Sequence, residues 1–162
     1  MSFIKKGLRE QYQLENKRIL LSVGRLIPRK GIVEFLKFSL PNIIKACPDV
    51  VFVIIGSEAQ NALKKKQDIL QEIKAVIEEY DLDNRVLLLG QVDEATLESA
   101  YQEADLFVFP LREIEGDIEG FGMVAVEAAA HGLPTFAFAV GGIADAIAPD
   151  QSGMLFEPGD YQ

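Results

Sequence analysis

Short apolar runs recur along the chain, and between them apolar residues return every three or four positions. The first run, ILLSV at 19–23, ends in Gly24. VVFVIIG at 50–56, VLLLG at 86–90, LFVFP at 106–110 and TFAFA at 135–139 follow, with a last short run near MLF at 154–156. Runs of this length, bounded by glycine, proline or polar residues, predict buried strands. Helical spacing occupies 31–47, about 62–80, about 94–103, the stretch following Glu119 and a short segment after Gly142. In the helix over 62–80, Ile69, Leu70, Ile73, Val76, Ile77 and Tyr80 share one face. Pro41 predicts a kink or break within 31–47, because it lacks the N–H a helix interior needs.

Six strands thus alternate with five helices. The strands are apolar throughout rather than every second residue, the mark of a parallel sheet covered on both faces. Right-handed crossovers then give an α/β fold: an open, doubly wound, Rossmann-like sheet of about six strands. Residues 1–16 read as a linker or lead-in helix, and 17–162 as the domain itself. The closing FEPGDYQ ends at a turn where another helix would be natural. We therefore expect a piece of a longer protein, cut at both ends. No internal repeat is visible.

Composition narrows this picture. At 162 residues the chain suits one domain, which can bury roughly two thirds of the surface its unfolded form exposes. A hydrophobic fraction of 49% with 25% charged residues is ordinary for a cytoplasmic globular domain. The single Cys47 leaves no partner for an intramolecular disulfide. No apolar run approaches the ~20 residues that span a bilayer, and MSFIKKGLREQYQLENKR is too polar for a signal peptide. The net charge of −9 argues against a nucleic-acid partner. It does not exclude a small anion, which one or two placed cations can hold.

In an open parallel sheet, ligands bind outside the carboxyl ends of the strands. That rule selects the loops 24–31, 56–61, 90–93, 111–121 and 140–143. It rejects the carboxylates Asp81 and Asp83, which follow a helix and so lie at the opposite edge. The first selected loop, GRLIPRKG, offers Gly24 and Gly31 for close backbone approach, Arg25 and Lys30 as cations, and a helix start. It is neither a Walker loop nor G-x-G-x-x-G, and a basic surface turn is the plainer alternative. The stretch EGFGMVAVEAAAHGLP, 119–134, holds Glu119 at the ligand edge and Glu127 eight residues on, inside an apolar helix. Gly120 and Gly122 leave room for a ligand against the backbone. A buried Glu127 must be protonated or accept hydrogen bonds, and sugar hydroxyls are good donors to a carboxylate. The alternatives are that it reaches solvent or pairs with a distant Lys or Arg. Gly141-Gly142-Ile143 offers further N–H groups for an anion. His131 reads as a cation closing a helix rather than a catalyst.

Taken together, G-R-L-x-x-x-K-G (24–31), E-G-F-G-x-x-x-x-E-A (119–128), H-G-L-P (131–134) and G-G-I (141–143) resemble a known family. It is the C-terminal nucleotide-sugar-binding domain of the retaining GT-B glycosyltransferases, and within them glycosyltransferase family 4. The resemblance covers about 17–158. It implies that Arg25 and Lys30 bind the donor's diphosphate and steady its charge as it leaves. Glu119 would hold hydroxyls of the donor sugar, and Glu127 would accept hydrogen bonds from the ribose. The backbone at Gly24, Gly120, Phe121, Gly122 and Gly142 would line the sugar and phosphate site. The base would lie over Gly90, Gln91 and Val92. The implied partners are a nucleotide-diphosphate hexose, such as a UDP- or GDP-sugar, and an N-terminal acceptor-binding domain outside this chain. No metal or other cofactor is expected, and the resemblance leaves room for peripheral membrane association of the whole enzyme. Some positions depart from the family pattern: the second strand ends Gly56-Ser57-Glu58 with one glycine, and Asp145 stands where Glu is common. These departures leave base and sugar preference open. Two other classes stay in view: a non-catalytic nucleotide-binding regulatory module, and an epimerase or phosphorylase of GT-B architecture. The chain alone is expected to bind a donor weakly without turnover.

Overall fold

The computed structural model describes residues 6–58, 68–117 and 120–162. The six apolar runs form six strands: β1 (Arg18–Val23), β2 (Val50–Ile55), β3 (Val86–Gly90), β4 (Leu106–Phe109), β5 (Thr135–Phe138) and β6 (Gly153–Phe156). They make one sheet in the order β3-β2-β1-β4-β5-β6, with every pairing parallel. This is the doubly wound arrangement expected from the sequence. The chain winds outward from β1 to β3, then returns to β1's other side at β4. The switch point therefore lies between β1 and β4.

Successive residues of each inner strand enter opposite cores, as the two-residue strand period dictates. Ile19, Leu21, Val51, Val53 and Phe107 belong to one buried cluster. Leu20, Phe52, Ile54 and Val108 belong to the other. Phe52 and Phe107 are fully buried, and each such ring stabilises the fold by roughly 1.5–3 kcal/mol relative to exposure. The first cluster is closed by α5 (Glu94–Glu103), α6 (Met123–Ala130) and α7 (Ile143–Ala146), which contribute Tyr101, Ala125, Ala128 and Ile143. The second is closed by α2 (Ile32–Glu34), α3 (Leu40–Ala46) and α4 (Ile69–Glu79). The amino-terminal part of the helix expected over 62–80 lies outside the described residues.

Between α2 and α3 the backbone is π-helical over Phe35–Ser39. Pro41 explains the form of this kink. It cannot donate to the carbonyl four residues back, and its ring crowds that carbonyl. The wider π turn relieves the crowding without breaking the helix.

The expected boundary at residue 17 needs correction. Residues 8–12 form a helix, α1 (Leu8–Tyr12), that packs as part of the domain. Leu8 is fully buried, and Leu14 nearly so, in the α5 core. The first N–H groups of α1 are capped from α5: Leu8 N donates to Ser99 Oγ at 2.7 Å and Arg9 N to Glu103 Oε2 at 2.7 Å. The Arg9 guanidinium reaches the carbonyls of Leu14, Lys17 and Glu103 and the Asp105 carboxylate. The lead-in helix is one of the two readings of this segment; its docking was not foreseen, because a five-residue helix that buries one leucine has no apolar periodicity to mark a packed face.

Candidate functional site

The carboxyl ends of the strands meet closely. Gly24 N donates to Ile55 O at 2.9 Å, Leu26 N to Ser57 O at 3.0 Å, and Gly56 N to Gly90 O at 2.8 Å. Gly90, Gln91 and Val92 therefore stand beside the end of β2. The Gln91 amide donates to Ser57 Oγ at 3.1 Å. A cleft of about 480 Å³ opens here, lined by Leu26, Ser57, Glu58, Leu70, Gly90 and Gln91. Val92 is half-buried against the core beneath.

The loop after β1 carries the two cations. Lys30 Nζ lies 4.6 Å over the centre of the Phe109 ring and points back toward Gly24. Arg25 is exposed at the same edge. Gly31 anchors the loop with φ of 67°, and a Cβ there would meet Pro110 O at 1.8 Å. Only glycine fits so close to the end of β4. From this loop, Arg29 Nη1 holds Asp117 Oδ1 at 2.7 Å, tying the basic loop to the loop after β4.

The glycines of the fourth and fifth selected loops come together. Gly122 is the N-cap of α6, in the left-handed region and packed against Ile143 and Phe109. A Cβ on Gly142 would lie 2.7 Å from Gly120 O. The starts of α6 and α7 are thus held side by side. Neither has a side-chain cap, whereas Asp68 caps α4 through Gln71 N and Asp93 caps α5 through Thr96 N. Glu58 Oε1 also takes Leu70 N at the start of α4. Of these four helix starts, the two left open to an anion are those built on glycine. Phe121, between Gly120 and Gly122, is exposed, as is Met123.

Of the predicted residues, Gly24, Arg25, Lys30, Gly90, Gln91, Val92, Gly120, Phe121, Gly122 and Gly142 lie along this edge. Glu119 lies outside the described residues. Asp81 and Asp83 are exposed in the turn between α4 and β3, at the far edge.

Glu127 differs from expectation. It is exposed, the solvent-reaching alternative rather than the buried one, and its side-chain partner is a tyrosine rather than a Lys or Arg. Tyr101 Oη donates to Glu127 Oε2 at 2.9 Å from the neighbouring α5. Tyr101 is itself buried. Burial first, and then the Glu127 carboxylate, push its phenol well above the usual tyrosine range, so the hydroxyl stays a donor. His131 is the C-cap of α6 and stacks on Tyr101, with ring centres 5.1 Å apart and planes at 15°. Its Nδ1 lies 2.8 Å from the Glu127 carbonyl and its Nε2 2.9 Å from Glu98 Oε2. Both partners are acceptors, so the ring is held best as the cation. Its pKa is raised, first by the Glu127 carbonyl and then by Glu98. The helix-closing role expected for His131 agrees with this geometry. Tyr101 was not foreseen, because no spacing rule joins residues 26 apart on two helices.

An apolar hollow of about 440 Å³ lies away from this edge, between the π segment, α3 and β4–β6. It offers few polar groups to orient a sugar or a phosphate. Among the described residues, no helix is long and apolar enough to cross a membrane.

The fold is shared with glycosyltransferases. The model of the glycosyl transferases group 1 family matches residues 5–162, and the chain belongs to that family as a C-terminal GT-B domain. It is 31% identical over 139 residues to a GDP-mannose-dependent monoacylated alpha-(1-6)-phosphatidylinositol monomannoside mannosyltransferase of Corynebacterium glutamicum, covering 85% of this chain and 33% of that protein. Among solved structures, Anabaena Alr3699/HepE in complex with UDP-glucose aligns with a TM-score of 0.75 and 28% identity, over 96% of this chain and 39% of the other. Sucrose-phosphate synthase from Thermosynechococcus elongatus aligns with a TM-score of 0.74 and 30% identity, over 94% of this chain and 36% of that one. The chain spans about a third of the length of the curated relatives it matches.

Proposed function

We propose that this domain binds a nucleotide-diphosphate sugar and serves as the donor half of a retaining hexosyltransferase. The observation that carries the proposal is the edge where Lys30 and the start of α6 both pack on the Phe109 ring, with the start of α7 beside them and Arg25 exposed in the same loop as Lys30. A diphosphate lying there meets N–H groups, two positive helix ends and two cations. Glycosyl transfer builds positive charge at the sugar carbon and negative charge on the departing diphosphate. Donors already aimed at that diphosphate lower the barrier without reorganising. Arg25 offers a fork of N–H groups and Lys30 a point charge, so neutralisation needs no metal.

The remaining roles are those the family resemblance implies. The base occupies the cleft beside Gly90, Gln91 and Val92, whose volume is that of a small-molecule site. Glu127, exposed one and a half turns into α6, accepts hydrogen bonds from ribose hydroxyls. Glu119 holds the donor sugar. The relatives include a GDP-mannose-dependent enzyme and a protein seen with UDP-glucose, which supports the donor class and leaves the base open. The acceptor belongs to a domain outside this chain, so the chain alone binds donor without transferring it.

The test is calorimetric titration of UDP, GDP and ADP, and of their sugars, into the chain, repeated with Arg25→Ala and Glu127→Ala. One nucleotide diphosphate should bind, and each variant should weaken it about tenfold or more. Absence of binding at millimolar concentration would remove the donor reading. Undiminished binding by both variants would leave the fold intact and the site misassigned.

A further inference from the structure

We propose that Tyr101 is a positioning residue for nucleotide recognition: its hydroxyl fixes Glu127 Oε2 and so presents Oε1 to the ribose diol. The inference rests on the reading of Glu127 as the ribose acceptor and adds the group that makes it selective.

The geometry supports it from three sides. First, an exposed glutamate side chain is free to sample many rotamers, and that freedom is lost when it grips a ligand. The 2.9 Å bond from Tyr101 removes much of it beforehand. Second, Tyr101 is anchored. It is buried, lies 6.0 Å from the Phe107 ring and stacks on His131 at 5.1 Å. His131 is in turn held at both nitrogens, by the Glu127 carbonyl and by Glu98. The carboxylate is thus oriented by a ring that is itself clamped. Third, the chemistry fits. An ionised carboxylate only accepts, and its two oxygens offer about four lone-pair directions. One is used by Tyr101, and the rest suit hydroxyl donors. The raised phenol pKa keeps the hydroxyl protonated and unable to compete as an anion.

A positioning role differs from a packing role in what it changes. If Tyr101 only filled space, its loss would weaken every nucleotide alike. If it aims Glu127, its loss should weaken only nucleotides that carry ribose hydroxyls.

The experiment compares the tightest-binding of UDP, GDP and ADP with its 2′,3′-dideoxy counterpart. Dissociation constants are measured for the unaltered chain, Tyr101→Phe, Glu127→Ala and the double variant, with thermal unfolding as a control. The unaltered chain should favour the ribonucleotide. Tyr101→Phe, which keeps the ring, should weaken the ribonucleotide by about five- to tenfold and leave the dideoxy form unchanged. In the Glu127→Ala background, Tyr101→Phe should have no further effect. Equal weakening of both nucleotides, or an unchanged ratio between them, would overturn the proposal. If Glu127→Ala abolishes the ratio and Tyr101→Phe does not, the ribose reading stands and the positioning role falls. If Glu127→Ala leaves the ratio intact, or no nucleotide binds, both fall.

Discussion

Gly142→Ala gives a sharp test of how the site is assembled, because two opposing effects can be separated there. Gly142 has φ of −78° and ψ of 8°, a conformation alanine adopts without strain. On backbone grounds alone the substitution should stabilise the chain by ~0.4–1 kcal/mol, by restricting the unfolded state. The surroundings oppose it. The new Cβ would lie 2.7 Å from Gly120 O, 3.2 Å from its carbonyl carbon and 3.5 Å from Phe121 Cα. Real Cβ contacts ordinarily begin at 3.4 Å, so the nearest contact falls roughly 0.7 Å short. The two atoms that are too close, Gly120 O and its carbonyl carbon, are main chain, which cannot rotate aside. The turn at 120–122 must move instead, and crowding of this kind costs ~1–3 kcal/mol. The net expectation is destabilisation of about 1–2 kcal/mol, or a Tm lower by roughly 3–6 °C for a chain of this size. Because the displaced turn carries N–H groups assigned to the donor, nucleotide-diphosphate affinity should fall as well. Differential scanning calorimetry and titration on the same samples read both effects. A raised Tm with unchanged affinity would show that Gly120 and Gly142 do not approach each other in solution.

Three further outcomes are expected. Leu8→Ala should lower stability by about 2–3 kcal/mol in urea unfolding, the low end of buried leucine losses because the short α1 can detach instead of leaving a cavity. No change would restore the boundary at residue 17. His131 has a raised pKa in the folded state, so the stability it contributes is complete below the usual histidine range. That contribution is lost as pH rises through the raised value, and His131→Gln should flatten the slope of stability against pH in that window. Nucleotide-diphosphate affinity should survive EDTA, and a loss of tenfold or more in calorimetric titration would mean that a metal shares the charge now assigned to Arg25 and Lys30.

Much of the fold was legible because parallel strands buried on both faces announce themselves as continuous apolar runs. VVFVIIG could hardly be anything else, and six such runs with helices between them leave few topologies. The loops holding the candidate site were legible for a related reason: strand direction alone decides which edge receives a ligand. Side-chain partnerships were not legible. For Glu127 the sequence left burial, solvent or a distant cation open, and the helix turns that residue to solvent and toward α5. Its partner Tyr101 carries no local signal, since α5 looks like any helix with one face on a core. The same blindness hid the docking of α1, whose attachment runs through Ser99, Glu103 and Asp105, more than ninety residues along from the groups they bind. Pro41 was a visible irregularity, but its resolution as a π turn depends on the core that keeps both halves of the helix in place.

The central claim is that one nucleotide-diphosphate sugar lies along the edge defined by Gly24, Lys30, Gly90, Gly122 and Gly142. Backbone amide chemical shifts on titration with UDP-glucose or GDP-mannose test it most directly. The largest changes should fall at Gly24 and Arg25, at Gly90–Val92, at Gly120–Met123 and at Gly142–Ile143, while Asp81–Asn84 at the opposite edge stays still. Saturable changes centred on Asp81–Asn84, or on the apolar hollow beside Phe136, with the glycine edge silent, would contradict it.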